Sequence, residues 1–179
     1  NVLTSLNQIT GYMSVANADM MGQDLMEITA HIGARPDHSL WQGRIVSRSG
    51  RSDYLSLDDI GYGEVDGFQG VNCRHGWFPF FEGISTPAYT EKQLEDLEGE
   101  IIVFDGKEYT AYEASQRQRQ LERAMRHTQR NLIAFENAGL EDKALSMKIK
   151  LKGQQDLYRE FSKTAGIRPK FERANIYRG

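Results

Sequence analysis

Apolar residues at the beginning of the chain recur at helical intervals, which predicts a helix over residues 2–21 that ends at Gly22. The period changes after this glycine, and residues 24–31 are typical of a strand. A second short strand is expected at residues 44–47, ahead of the Ser49-Gly50 break. The apolar positions of the first helix are Val2, Leu3, Leu6, Ile9, Met13, Ala16 and Met20.

The next segments contain signals for turns. Within the loop of residues 33–43, Asp37 or Ser39 is expected to cap a short turn of helix, and residues 56–63 are expected to form one or two helical turns. A run of glycines follows that matches neither nucleotide-binding glycine motif, so it predicts a loop in which backbone segments approach closely. These glycines are Gly61, Gly63, Gly67 and Gly70.

Three signals near the middle of the chain define strand and helix ends. Pro79 has no amide hydrogen, which argues against a central strand beyond Phe78. Thr90 and Gln93 have the spacing of a capping box for a short helix that ends at residue 97. Residues 101–110 predict a β-hairpin, because their central Asp-Gly pair suits a type I′ turn.

Two long helices are expected over residues 112–137 and 140–164, joined at Gly139, where a left-handed backbone ends the first helix. Such a short connection predicts an antiparallel helical hairpin. The tail after Pro169 is basic and is expected to be extended. The apolar stripes of these helices contain Leu121, Met125, Leu132 and Phe135, then Ala144, Met147, Leu151, Tyr158 and Phe161.

These elements predict an α+β protein: a small mixed domain with short strands and a β-hairpin at residues 1–111, then a helical hairpin and basic tail at residues 112–179. The net charge also differs between these two parts of the chain, with the first part acidic and the second part basic. The first part carries 7 Lys and Arg against 17 Asp and Glu, and the second carries 15 against 8. A basic helical end is suited to contact with DNA, although interspersed acids also fit a solvated helix face.

Composition excludes several classes of protein. The longest apolar runs are far shorter than the roughly 20 residues of a membrane helix, and the first residues do not resemble a signal peptide. The one cysteine excludes an internal disulfide and a multi-cysteine zinc site, and fits a reducing cytoplasm. Because the sequence begins with Asn1, we expect it to be part of a longer chain.

Reactive side chains concentrate in two segments. Three of the four histidines and the one cysteine occur in them, whereas His127 lies on a predicted helix. This clustering is the main indication of a site. The first segment holds His31, Arg35, His38, Trp41 and Gln42, and the second holds Asn72, Cys73, Arg74, His75 and Trp77.

Four of these residues, His31, His38, Cys73 and His75, offer three nitrogens and one sulfur, an acceptable tetrahedral set for Zn²⁺. The same cysteine, with a histidine as base, fits a thiol nucleophile. A buried, inert cysteine and hydrogen-bonded structural histidines are the alternative interpretation.

Other residues of the two segments suggest binding roles. Arg35 and Arg74 are suited to hold a phosphate or a nicotinamide-dinucleotide-type ligand, or else to tie loops together through backbone carbonyls. Asn72 is suited to orient an imidazole or to donate to an oxyanion. Trp41 is more typical of a core residue than of a ligand platform. Trp41 and Gln42 belong to the first segment and are candidate binding residues.

Several of these motifs, in this order, resemble the minor capsid proteins of tailed phages that are associated with the portal genes. The resemblance rests on residues 24–43 and 47–50, the Gly61-Tyr-Gly and Gly70-Val-Asn-Cys-Arg-His runs, Pro79-Phe-Phe, and residues 112–122. A weaker resemblance links the same site to Mu-type head-morphogenesis proteins, which often carry Asn-Cys-Arg-Cys. Here His75 replaces the second cysteine, which keeps a metal ligand and removes dithiol chemistry.

The resemblance implies the C-terminal region of a larger minor capsid protein that acts in head assembly. It implies portal and capsid proteins as partners, contact with packaged DNA as a further candidate, no membrane, and a place in the virion after assembly in the host cytoplasm. It implies a shared site of His31, Arg35, His38, Trp41, Gln42, Asn72, Cys73, Arg74 and His75, without saying what the site does.

Two other functions stay open from the sequence. One is a toxin-like effector or a Cys/His-dependent enzyme carried in the phage head, with Cys73, His75, His38 and His31 as candidate catalytic groups. The other is a small interaction module stapled by zinc, which is the one cofactor that these residue types suggest.

Overall fold

The computed structural model describes residues 2–97 and 99–176 and divides the chain into two compact units, Asn1–Gly99 and Glu100–Gly179. Helices and short strands are combined, which confirms the α+β class. Unit 1 contains α1 (Val2–Met20), β1 (Leu25–Ile28), α2 (Pro36–Ser39), β2 (Ile45–Ser47), β3 (Trp77–Pro79) and α3 (Glu91–Asp96). Unit 2 contains β4 (Ile102–Phe104), β5 (Lys107–Tyr109), α4 (Ala111–Asn137), α5 (Glu141–Thr164) and α6 (Phe171–Ala174).

Unit 1 is organised around a three-stranded antiparallel sheet in the order β2-β1-β3. All four residues of the central strand β1 are buried, because it is covered on both faces. Pro79 lies in the edge strand β3, where no ladder hydrogen bond is lost, as the sequence predicts. The core comprises Ala18, Met26, Ile28, Trp41, Val46, Ile60, Phe68, Cys73 and Trp77.

Helix α1 packs on the rest of unit 1 through its small residues. Thr4, Gly11 and Ala18, spaced two turns apart, are its buried positions. A Cβ at Gly11 would overlap the side chain of Gln69, so this glycine allows the helix to approach closely. The indole Nε1 of Trp77 donates to the Gly11 carbonyl at 3.3 Å. The helix is confirmed, but its apolar stripe does not face the core of unit 1.

The loop of residues 61–70 brings backbone segments together, as its glycines predict. A Cβ at Gly67 would lie 1.8 Å from the Gly61 carbonyl oxygen, and one at Gly70 would lie 2.4 Å from the Val65 oxygen. Residues 56–63 form turns rather than the expected helical turns, because their backbone bonds run from Gly61 to Asp58 at 3.0 Å and from Tyr62 to Leu57 at 2.9 Å instead of four residues back.

Helix α2 forms where a short turn of helix is expected, but neither predicted residue caps it. It begins at Pro36, and Arg35 occupies the capping position without a side-chain cap. Proline suits the first helical position because it needs no amide hydrogen bond there. Asp37 and Ser39 therefore lie inside the helix, and the predicted cap is wrong.

Unit 2 is a pair of long helices with a hairpin packed on it. The turn of the hairpin has positive φ at Asp105 (52°) and Gly106 (71°), as a type I′ turn requires. The rings of Phe104 and Tyr109 lie 5.2 and 5.5 Å from that of Phe161. The structure therefore groups the hairpin with the helices and divides the chain at residues 99/100, whereas the sequence placed the hairpin in the first domain.

The chain after α5 also differs from the expected extended tail. Residues Phe171–Ala174 form the short helix α6, with Ala174 buried, and the Lys170 amide donates to the Tyr158 hydroxyl at 2.8 Å. Apolar contacts of this segment with α4 and α5 offset the loss of chain entropy. Residues 177–179 lie outside the described residues. The core of unit 2 comprises Ala114, Leu121, Met125, Tyr158, Phe161 and Ala174.

Candidate functional site

The two histidine-containing segments of the sequence meet inside unit 1. His38 on α2 is 2% exposed, and His75, in the loop before β3, is 1% exposed. Cys73 belongs to the same core at 5%. Polar groups that are this deeply buried are normally paired, so their partners define what the site can do.

Helix α1 holds the second segment in place with polar side chains. The side-chain amide of Asn7 donates to the backbone carbonyls of Cys73 at 3.4 Å and His75 at 3.1 Å. The Thr4 hydroxyl accepts from the backbone amide of Asn72 at 3.3 Å, and the side-chain amide of Gln8 donates to the backbone carbonyl of Gln69 at 3.2 Å. Inward polar residues of α1 thus fix the loop that carries Cys73 and His75.

Two non-glycine residues of this loop have left-handed backbone. Gln69 has φ of 59° and Asn72 has φ of 61°. Asparagine tolerates this region better than most residues, whereas for glutamine it is unusual. The contacts with Gln8 and Thr4 compensate for this strain, and the turn at Asn72 directs Cys73 into the core.

The ligand-capable atoms of three side chains converge. His38 Nδ1 lies 3.4 Å from His75 Nδ1, and Cys73 Sγ lies 3.6 Å from the same His75 nitrogen. One such atom from each residue falls within 4.8 Å of the other two. His31 is outside this set: its ring stacks on that of His75 with centroids 4.3 Å apart and an interplanar angle of 22°.

The opposite nitrogen of each imidazole in the set faces an oxygen. His38 Nε2 lies 2.8 Å from the Asp66 carbonyl oxygen, and His75 Nε2 lies 3.3 Å from Gln42 Oε1. The same Gln42 oxygen accepts from the His31 backbone amide at 3.1 Å, which fixes the orientation of the glutamine side chain. A guanidinium nitrogen of Arg35 also contacts both His38 Nε2 and the Asp66 oxygen.

Aromatic rings surround the pair of histidines and exclude water. The Trp41 ring lies 4.4 Å from that of His38 and 4.9 Å from that of His75. Phe68 packs edge-on against Trp41 at 5.8 Å. Trp41 therefore forms the wall of the site as well as belonging to the core, the role that its sequence favoured.

Burial determines the charge state of these groups. It lowers the pKa of His75 to about 3, with the neighbouring His31 and His38 acting in the same direction. Burial also lowers the pKa of His38, against an opposing hydrogen bond to Asp66. Burial raises the pKa of the Cys73 thiol, against the backbone amides of His75 and Gln69. A thiol with a raised pKa is a poor nucleophile, so the geometry does not favour thiol catalysis.

The predicted binding residues occupy the rim of this cluster. Arg74 Nη2 lies 3.4 Å from His31 Nδ1 and 3.5 Å from the Gly33 carbonyl oxygen. Arg35 reaches the Asp66 carbonyl, so both guanidinium groups contact backbone carbonyls of neighbouring loops. Asn72 is exposed and contributes its backbone turn. The arrangement matches loop-tying arginines more closely than a phosphate clamp.

Sequence reasoning missed the outer contacts of the site. The Asp66 carbonyl is a backbone group, so no side-chain pattern identifies it. Asn7 and Gln8 lie on the face of α1 opposite the apolar stripe, where a helix at a protein surface normally presents polar residues to water, so the sequence did not indicate their inward contacts.

Comparisons with known proteins give two similarities. Residues 1–163 match the family described as Phage minor capsid protein 2. A "Structural protein" of Lactococcus phage LL-H is 27% identical over 146 residues, which cover 77% of this chain and 36% of that relative. The chain thus spans about a third of the length of this relative. No solved structure matches. Among the described residues, no helix is long and apolar enough to cross a membrane.

Proposed function

Because the chain belongs to the phage minor capsid protein 2 family, we propose that it is a structural component of the virion and docks on the portal through helix α1. Family membership and the phage structural relative support the virion role. The exposed apolar stripe of α1 is the observation that carries the docking role. The portal is the proposed partner because the minor capsid proteins that this sequence resembles are encoded beside the portal gene.

The apolar stripe is a continuous surface. Val2, Leu6, Ile9, Met13 and Met20 are exposed by 75, 54, 54, 62 and 87%. With Ala16, these positions are separated alternately by four and three residues, which is the spacing of a coiled-coil seam. The seam covers 18 residue steps, or about 27 Å of helix. A seam of this kind fits an amphipathic helix of a partner protein.

The opposite face of α1 already has its folding role. Thr4, Gly11 and Ala18 are buried, and they lie half a turn away from the stripe. The exposed apolar residues are therefore not needed to attach α1 to unit 1. Contiguous exposed apolar surface on a soluble protein usually marks an interaction site. This division of faces is what a helix that connects two proteins requires.

The alternative functions receive no comparable support. A Cys/His enzyme needs an accessible thiolate, whereas burial disfavours the charged form of Cys73. An injected effector needs an activity, and His75 at the centre of the cluster is buried beneath the rings of Trp41 and His31. Contact with packaged DNA stays a prediction from the basic charge of the second part.

The test is incorporation and cross-linking in assembled phage, with the full protein that the phage makes. A photo-reactive amino acid at Ile9 is expected to cross-link to the portal protein in purified heads. Leu6→Glu is expected to reduce the amount of protein in purified heads by tenfold or more, since one buried charge in a seam costs several kcal/mol.

The matched control is Ile84→Glu, because Ile84 is an equally apolar residue of unit 1, is 84% exposed and does not belong to α1. It should leave incorporation unchanged. Cross-linking of Ile9 to the major shell protein, or to another segment of the same polypeptide, would refute the portal as partner. Normal incorporation of Leu6→Glu, with a normal unfolding transition, would refute docking through α1.

A further inference from the structure

We propose that His38, Cys73 and His75 bind one Zn²⁺ ion through His38 Nδ1, Cys73 Sγ and His75 Nδ1. The ion would tie α2 to the loop that precedes β3 in unit 1. This site concerns the interior of unit 1 and does not depend on which protein the α1 stripe binds.

The spacing of the three atoms is the first argument. With the usual Zn–N and Zn–S bond lengths, a tetrahedral ion separates two ligating nitrogens by about 3.4 Å and a nitrogen from a sulfur by about 3.6 Å. The observed separations are 3.4 Å between the two Nδ1 atoms and 3.6 Å from Cys73 Sγ to His75 Nδ1. The remaining pair is within 4.8 Å, so a small side-chain rotation closes the triangle.

The hydrogen bonds behind the imidazoles are the second argument. A carbonyl oxygen only accepts, so His75 Nε2 must donate to Gln42, and His38 Nε2 donates to Asp66 in the tautomer that carries its proton at Nε2. Each neutral imidazole then has a bare lone pair at Nδ1, and the two lone pairs face each other. A cation between them removes this repulsion. Metal-bound histidines typically have such an oxygen partner on the second nitrogen.

Burial and ligand type are the third argument. All three side chains are buried, so an unpaired donor or acceptor among them is costly. A thiolate with two imidazoles is a ligand set that suits zinc. Three neutral or anionic ligands on two segments that are 35 residues apart would staple a unit whose strands are only three or four residues long.

His31 is not assigned as a ligand, in contrast to the set expected from the sequence. The lone pairs of an imidazole lie in the plane of its ring, and the His31 ring is nearly parallel to that of His75 and stacked 4.3 Å from it, so the His31 nitrogens do not point toward an ion in the plane of His75. His31 Nε2 is buried without a hydrogen-bond partner among the described residues. The structure thus assigns three protein ligands to the ion and assigns none to its fourth position.

A metal-free arrangement is the rival explanation. In it, Arg35 donates to His38 Nε2, His38 Nδ1 carries the proton and donates to His75 Nδ1, and Cys73 is a neutral thiol. The two arrangements differ in what the folded chain does with added metal. The metal-free network is already satisfied and has no place for an ion.

The experiment uses the 179-residue chain, stripped with chelator and titrated with Zn²⁺ and, separately, with Co²⁺. We expect one equivalent of zinc to bind and the Co²⁺ complex to show a sulfur-to-cobalt charge-transfer band with intense tetrahedral d–d bands. Cys73→Ser and His75→Ala should each weaken zinc binding by at least about 100-fold, since even changes to outer partners cost 10–100-fold.

The control is His127→Ala, which removes an exposed histidine of α4 in unit 2 and should bind zinc like the parent chain. Absence of tight zinc binding by the folded parent chain would overturn the proposal. So would a Co²⁺ spectrum without the sulfur band, which needs no variant to fold. Equal binding by Cys73→Ser would show an adventitious ion only.

Discussion

The two units of the chain are stabilised in different ways. In unit 1 the strands are three or four residues long, and buried polar side chains occupy positions next to the core. In unit 2 two helices of 27 and 24 residues bury a longer apolar stripe, with a hairpin packed on it, and fewer polar residues of the described chain are buried there, namely Gln118, Glu122, Thr128 and Ser162. The buried polar residues of unit 1 are Thr4, Glu27, His38, Gln42, Ser47, Gln69 and His75.

This difference shows where specificity is located. An apolar helix stripe tolerates substitution if volume is kept, whereas a buried polar network fails when one member is removed. We therefore expect unit 1 to be sensitive to local contacts and unit 2 to be sensitive to volume. Trp41 and Trp77 are the two tryptophans of the chain, and both lie in unit 1. Tryptophan fluorescence thus reports on unit 1, and far-UV circular dichroism reports mainly on the long helices of unit 2.

The largest expected effect is that of Phe161→Ala in unit 2. Phe161 is fully buried and contacts the rings of Phe104 and Tyr109. Its truncation should lower the free energy of unfolding of unit 2 by about 3–5 kcal/mol, through lost burial and the cavity left behind. Denaturant titration should show an earlier circular dichroism transition and an unchanged fluorescence transition.

Leu145→Ala is the matched control for this prediction, since Leu145 lies on the same helix and is 59% exposed. It should change the free energy of unfolding by less than about 0.5 kcal/mol. A fluorescence transition that moves together with the dichroism transition in Phe161→Ala would mean that the two units unfold as one, and the comparison drawn above would fail.

Gly67→Ala should have the next largest effect, and in unit 1. The added Cβ would lie 1.8 Å from the Gly61 carbonyl oxygen, so the backbone has to move. We expect a loss of about 1–3 kcal/mol, as for other overpacked interiors, seen in the fluorescence transition. Gly76→Ala is the control, because its Cβ would meet nothing within 4 Å. Equal stability of the two variants would contradict the close packing of this loop.

Local signals in the sequence were enough to predict much of unit 2. The Asp105-Gly106 turn and the glycine after α4 each act within a few residues, so pattern reading finds such features, whereas the capping box at Thr110 and Glu113 was not predicted. What packs against the hairpin depends on tertiary contacts. Its grouping with Phe161 could therefore not be predicted from those turns.

Unit 1 was harder to predict because its structure depends on contacts between distant segments. The clustering of histidines in the sequence indicated the two segments involved, and the structure brings His38, Cys73 and His75 together. The orientation of α1 was not predictable from its period alone, because the apolar stripe faces solvent and small or polar residues face the unit. The Asp66 carbonyl contributes through the backbone, which sequence patterns do not reveal.

The capping boxes at Thr90 and Thr110 allow a smaller, paired prediction. Thr110→Ala removes the cap of the 27-residue helix α4 and should cost unit 2 about 1 kcal/mol, whereas Thr110→Ser should keep it. Thr90→Ala removes the same cap from α3, which has six residues and buries none of them. This variant should fray α3 without a comparable change in the fluorescence transition. A larger loss for Thr90→Ala than for Thr110→Ala would contradict the contrast between the units.

The smallest expected effect is a change in how the free energy of unfolding of unit 1 depends on pH, and it is caused by Glu27 on the central strand β1. Burial raises the pKa of Glu27 above its ordinary value of 4.5, against opposing hydrogen bonds from the backbone amides of Ala88 and Tyr89. The folded unit therefore holds this proton more tightly than the unfolded chain does. The resulting stabilisation is complete below pH 4.5 and is lost as pH rises through the folded pKa.

Glu27→Gln isolates this contribution, because the glutamine side chain keeps an oxygen that accepts from the Ala88 amide, at 2.6 Å in the parent chain, and does not titrate. The stability of the parent chain minus that of Glu27→Gln, measured by fluorescence at several pH values, should fall as pH rises above 4.5. The subtraction removes the titration of the histidines, which both chains share. A difference that is flat or rises with pH would mean that Glu27 is ionised at no cost in the folded state, and that unit 1 accommodates a buried charge on its central strand.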